Sequence, residues 1–144
     1  MSEKFPQKAQ EIMNERFHRD SLISVATIEN NIPYVRTVDG FYEDGAFYTV
    51  TYALSNKMRQ IAANPTVAVC GEWFTAHGTG ENLGYVRKPE NEELANKLRA
   101  AFAAWYNCGH VDEDDPNTCI LCIHLTNGVL LANGARYDID FTKD

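Results

Sequence analysis

Residues 21–52 hold three β-type runs separated by nothing longer than a tight turn, and that spacing limits the possible folds more than any other feature. SLISVATI (21–28) is rich in β-branched residues, and Glu29-Asn30-Asn31 follows as a turn. IPYVRTVDGFY (32–42) and AFYTVTY (46–52) read as two further strands around the hairpin turn Glu43-Asp44-Gly45. Parallel strands need a long crossover, so connections this short force antiparallel neighbours. Asp39-Gly40, inside the second run, predicts a bulge or a bend.

The remaining segments extend this pattern. Phe5, Ala9, Ile12 and Met13 form an amphipathic stripe that predicts a helix from Pro6 to about Arg16. A second, short helix opens at Ser55, places Met58, Ile61 and Ala62 on one face, and stops at Asn64-Pro65. TVAVCGEWF (66–74) is a strand by composition, and the Gly-rich AHGTGENLG (76–84) reads as a turn or bent strand. Leu94, Leu98, Ala101, Phe102 and Trp105 give a long helical stripe after Pro89. VDEDDP (111–116) is an acidic exposed loop, and CILCIHLTNGVLLANGARYDIDF carries two Asn-Gly turn signals between apolar runs. Six or so antiparallel strands with a few helices predict one α+β domain over residues 1–144, its sheet closed or nearly closed into a barrel.

Composition narrows the function. Among 144 residues, 44 % are hydrophobic and 23 % charged, an ordinary globular balance rather than that of a disordered chain. A net charge of −7 argues against a nucleic-acid partner and against anionic membrane surfaces, both of which demand a basic face. A small phosphorylated ligand needs only a local pocket of donors. No apolar run approaches the roughly 20 residues that span a bilayer, and the N-terminal MSEKFPQKAQEIMNERF lacks the apolar stretch of a secretory signal. The expected location is the cytoplasm, where four cysteines are thiols rather than disulfides.

Ser55-Asn56-Lys57 sets a hydroxyl, an amide and an ammonium at a helix start. Such a start leaves backbone N–H groups unpaired and carries partial positive charge, so it suits either a plain N-cap or an anion seat. With PYVRTV (33–38), FYTVTY (47–52) and SNKMRQIAANPTVAV (55–69) taken in order, the chain resembles the FMN-binding split barrels of the pyridoxamine 5′-phosphate oxidase-like superfamily. That resemblance implies an antiparallel split β-barrel with flanking helices, and non-covalent FMN between the protomers of a homodimer. It implies that Arg36 pairs with the flavin phosphate, that Thr51 and Ser55 add hydroxyls, and that Lys57 adds a second positive charge. Backbone groups of Thr37 and Val38 would follow the isoalloxazine edge, and Val50 and Asn56 complete the implied cofactor-binding set. Strand alternation puts Arg36 with Val38, and Thr49 with Thr51, on shared faces.

The same resemblance implies flavin-dependent oxidoreduction of a small, undefined substrate, with no catalytic residue identifiable. Non-catalytic flavin binding in storage, sensing or stress response is the alternative, as is a related barrel holding a deazaflavin or haem. True pyridoxamine phosphate oxidases carry an Arg-rich, Trp-containing C-terminal segment. Here ARYDIDFTKD has Arg136 as its one arginine and no tryptophan, which reads against vitamin processing.

Other clusters are weaker. Cys108-Gly109-His110 and Cys119-x-x-Cys122-x-His124 contain zinc-type ligands, but a strand through 119–124 sends Cys119 and Cys122 to opposite faces, so no metal site is expected. Gly78-Thr79-Gly80 lacks the lysine of a phosphate loop and reads as a bulged strand or hairpin beside His77. Trp73, Trp105 and Tyr106 read as core or dimer contacts, and the resemblance implies that Glu72 lies where a second subunit comes against the flavin.

Overall fold

Three of the chain's reversals are built on paired positive φ angles. In the computed structural model, which describes residues 4–142, Asn30-Asn31 (53° and 64°), Asp44-Gly45 (46° and 83°) and Asn133-Gly134 (53° and 75°) all turn this way. Their twist matches that of the strands they join. They link β1 (Ser21–Glu29) to β2 (Ile32–Glu43), β2 to β3 (Ala46–Tyr52), and β6 (Thr118–Ala132) to β7 (Ala135–Asp140). Between β3 and β6 the chain passes through α2 (Asn56–Ala63), β4 (Thr66–Gly71), β5 (Phe74–Tyr85) and α3 (Glu92–Ala101), and α1 (Gln7–Phe17) precedes them all.

The strands pair antiparallel in the order β3-β2-β1-β4-β5-β6-β7, and β3 also pairs with β6. That last pairing closes six strands into a barrel and leaves β7 as an addition on β6. Closure matters because an open sheet would expose a row of unpaired backbone groups. Among the described residues no helix is long and apolar enough to cross a membrane.

Period-two alternation sorts the side chains. Ile23 and Val25 of β1, Phe47 of β3, Val67 and Val69 of β4 and Leu121 and Ile123 of β6 turn inward. Ala9, Ile12, Met13 and Phe17 from α1, with Met58 and Ile61 from α2, join the same cluster. Each large side chain buried there stabilises the fold by roughly 1.5–3 kcal/mol relative to exposure. On the other side, Ala95, Leu98 and Phe102 pack over Phe41, Val86 and Ile120 to form a second core.

Several boundaries differ from the sequence expectations. Residues 66–74 are not one strand, because Glu72 and Trp73 form a turn between β4 and β5, with Trp73 at φ 52°. Trp73 is 67 % exposed and is not a core residue. The Gly-rich stretch lies within one long strand. A Cβ at Gly78 would stand 2.7 Å from the His124 carbonyl oxygen and one at Gly80 2.8 Å from Ile61 Cγ2, so these glycines mark close approach rather than a turn. The bulge expected there is present: His77 faces Asn127 and Gly78 faces Leu125, which leaves Thr126 extra in β6. Asn127-Gly128, read as a turn, is interior to β6 and paired on both sides. At Asp39-Gly40 the β1–β2 register runs without a break to Ser21↔Gly40, and β2 takes up β3 from Phe41 onward. The long helical stripe ends as helix at Ala101; Phe102 and Trp105 follow in turns yet still pack on the second core.

Candidate functional site

At α2 the polar residues of the barrel converge. Ser55 is the N-cap: its Oγ accepts from the Met58 N–H at 3.3 Å, which satisfies one of the orphan donors of the first turn. The helix start then delivers Lys57 inward, where the residue is only 9 % exposed, and its Nζ donates to Thr51 Oγ1 at 2.7 Å. Thr51 reaches it because Thr49 and Thr51 share the inner face of β3, opposite Leu121 and Cys119.

Arg36 enters from β2. It lies opposite Val25, so it takes the inner face, where Val38 packs against the apolar cluster. Its Nη1 donates to Val25 O at 3.2 Å and to Thr27 Oγ1 at 2.8 Å, and its Nη2 donates to Gln60 Oε1 at 3.0 Å. Burial holds the Arg36 pKa below its ordinary value. Lys57 is likewise lowered, first by burial and then by the charge of Arg36. The charge of Arg36 thus bears on Lys57, and among the described residues neither forms an ion pair with a carboxylate. Glu29, the acid on this side, is held by Arg59 and takes a 3.4 Å hydrogen bond from Gln60 Nε2. A planar guanidinium, an ammonium, two hydroxyls and the N–H groups at a helix start are the donor types that could hold an anion with at least two oxygens.

The structure thus brings together Arg36, Thr51, Ser55 and Lys57. The remaining implied residues are placed differently. The Thr37 side chain is exposed on the outer side of β2, Val50 turns outward to the second core, and Asn56 is exposed against Arg59 at 3.4 Å. Sequence reasoning missed Thr27 and Gln60, which are 0 % and 2 % exposed. The signal was present: Thr27 ends the inward stripe of Ile23 and Val25, and Gln60 is one turn on from Lys57.

The other clusters stay apart from this seat. Cys119 lies in the inner cluster, whereas Cys122 sits on the outer side next to Tyr48, and burial pushes both thiols up to about 11. His124 contacts Cys122 Sγ at 3.5 Å and Glu81 Oε1 at 2.8 Å. Cys108 and His110 are exposed in the turns after α3. Among the described residues no group of three or more His, Cys, Asp or Glu could hold a metal ion. His77 is exposed and meets Asn127 Oδ1 at 3.2 Å.

A closed antiparallel barrel of six strands with an added strand and three helices defines the split-barrel class. The chain belongs to the pyridoxamine 5′-phosphate oxidase family, whose model matches residues 9–131. No curated protein sequence matches it. The fold is similar to General Stress Protein 26 of Bacillus anthracis, at 19 % identity and TM-score 0.69 over 90 % of this chain and 98 % of that one. It is also similar to a FAD-binding protein of Mesorhizobium loti (14 %, TM-score 0.66, 82 % and 90 % covered). An F420 reductase has the same fold (17 %, TM-score 0.61, 80 % and 94 % covered).

Proposed function

We propose that this chain binds FMN through its phosphate and acts as a flavin-dependent oxidoreductase on a small organic substrate. The observation that carries the reading is the pair Arg36 and Lys57, half-buried and buried, with the charge of Arg36 bearing on Lys57 and, among the described residues, no carboxylate paired with either. A phosphate dianion would offset that charge, and the Thr51 and Ser55 hydroxyls would complete its coordination. When bound, the flavin would supply hydride or electron transfer. The chain's own part is to bind and orient: Arg36 and Lys57 fix the phosphate, and the backbone of Thr37 and Val38 offers edge-on donors and acceptors.

The reading includes a homodimer with the cofactor between protomers. Its support is a groove of about 290 Å³ on the outer side of the barrel, lined by small residues such as Ser24, Ala26, Ala68 and Cys70. Exposed apolar residues, Leu22, Val35, Trp73 and Leu131, add to that support.

A flavin-binding protein without turnover, in storage, sensing or stress response, is the second reading. Among the described residues the seat combines cations and neutral donors with no imidazole or free carboxylate, and the fold is similar to a general stress protein. Purified protein should be yellow and release FMN on denaturation, identified by mass; a colourless protein that takes up no added FMN refutes the cofactor assignment. A deazaflavin or haem would show in the same mass and spectrum. Reduction of the bound cofactor by NADH or NADPH separates enzyme from binding protein.

A further inference from the structure

The guanidinium of Arg36 is oriented by two side chains that themselves never need to touch a ligand. Thr27 and Gln60 are almost wholly buried polar residues, and burying such groups is costly unless every donor and acceptor is used. They use each other. The Thr27 hydroxyl donates to Gln60 Oε1 while its oxygen accepts from Arg36 Nη1, and Gln60 Oε1 also accepts from Arg36 Nη2. The opposite end of the amide, Nε2, donates to Glu29 Oε1 at 3.4 Å. That arrangement fixes which way the amide faces, since turning it over would set an NH₂ group against two donors.

We propose, resting on the phosphate reading above, that Thr27 and Gln60 are positioning residues for Arg36, and that an amide at position 60 keeps the guanidinium's charge available to the ligand. Arg36 spends both Nη1 hydrogens on Val25 O and Thr27 and one Nη2 hydrogen on Gln60. The donors left are Nε–H and the second Nη2–H, which lie along one edge of the guanidinium and form the two-point fork that suits two phosphate oxygens. A carboxylate at 60 would accept the same bonds but neutralise the cation. Gln60 instead passes the hydrogen-bond chain on to Glu29, whose own charge is balanced by Arg59. The seat thus gains a fixed guanidinium without gaining an anion.

The test is FMN titration by flavin fluorescence quenching on wild type, Gln60→Glu, Thr27→Val and Thr27→Ser, with thermal unfolding of each protein without ligand. Gln60→Glu and Thr27→Val are expected to weaken FMN about tenfold or more while remaining folded, as removing a fixed charged donor implies. Thr27→Ser, which keeps the hydroxyl, is expected to bind within about twofold of wild type. Wild-type affinity in both Gln60→Glu and Thr27→Val overturns the assignment. So does Thr27→Ser losing as much as Thr27→Val, because then the methyl packing rather than the hydroxyl matters. A wild-type protein that binds neither FMN nor inorganic phosphate fails earlier, at the phosphate reading, and takes this assignment with it.

Discussion

Lys57→Met is the substitution whose two effects should run in opposite directions. Methionine has a similar length and can occupy the same inward path, so the aliphatic stem's packing is kept. What is lost is an ammonium that is 9 % exposed and has its pKa lowered by burial and by the charge of Arg36. Removing a buried ammonium that has, among the described residues, no counter-ion returns roughly 1–3 kcal/mol. The hydrogen bond to Thr51 Oγ1 is forfeited, at about 1 kcal/mol. The net is a more stable ligand-free protein, by about 1 kcal/mol, or about 4 °C in Tm at this chain length. Because the Lys57 pKa in the fold is lowered from 10.5, the unfolded chain holds the proton more tightly. The wild-type penalty is therefore fully present below the folded pKa and fades as pH rises through it toward 10.5, so the gap between the proteins should close there. FMN should respond in the other sense. Loss of a charged donor costs about 1–3 kcal/mol of affinity, roughly 5- to 150-fold in Kd. At a concentration 100-fold above the wild-type Kd, FMN adds about 2.7 kcal/mol to wild type but about 1.4 kcal/mol to a variant weakened tenfold. Differential scanning calorimetry with and without FMN reads both numbers. A ligand-free Lys57→Met protein less stable than wild type would refute the reasoning, since it would make Lys57 a structural donor rather than a cation waiting for an anion.

Three further outcomes follow from groups elsewhere in the fold. Glu113 accepts from Arg99 and Tyr106, and these bonds, Arg99 first, hold its pKa down to about 2. The stability it contributes is present above about pH 4.5 and lost as pH falls toward 2, so the Tm gap between wild type and Glu113→Gln should vanish across that window. Asp39 is pushed up to about 6 by burial, then by the hydrogen bond and charge of Asp20. Here the folded state binds the proton more tightly, so wild type loses stability relative to Asp39→Asn as pH rises from about 4 to 7. Finally, Gly78→Ala and Gly80→Ala both overpack, by roughly 1–3 kcal/mol. Gly78→Ala should be the worse in urea unfolding, because its Cβ meets a backbone carbonyl whereas that of Gly80 meets the movable tip of Ile61.

The barrel was readable mainly where local chemistry decides structure. The turns at Asn30-Asn31, Asp44-Gly45 and Asn133-Gly134 announce themselves, because few residues accept positive φ twice in succession. Asn127-Gly128 carries the same letters and makes no turn; its place in β6 is set by pairing with β5 and β7, which no local window contains. Gly78 and Gly80 were read as part of a bulged strand, which they are, but the reason for their smallness was hidden, since it answers to His124 and Ile61 rather than to their own backbone. At the seat, Arg36, Thr51, Ser55 and Lys57 were recoverable as an ordered pattern. Thr27 and Gln60 left only a faint trace, an inward strand position and a place one turn on from Lys57, because a threonine in a strand and a glutamine in a helix look ordinary until the fold brings them to Arg36.

The fifteen-residue β6 pairs with β3, β5 and β7, so three neighbours depend on one late segment. The seam it seals joins residues 46–52 to 118–124. During synthesis, everything up to α3 can leave the ribosome while the edges of β3 and β5 still lack this partner, and closing so long a loop is entropically slow. The nascent chain therefore passes through an interval as an open sheet with two adhesive margins, the condition under which strands find the wrong partner. Expression at lower temperature, or with chaperones that shield strand edges, should raise the soluble yield of this chain more than that of a helical protein of equal length.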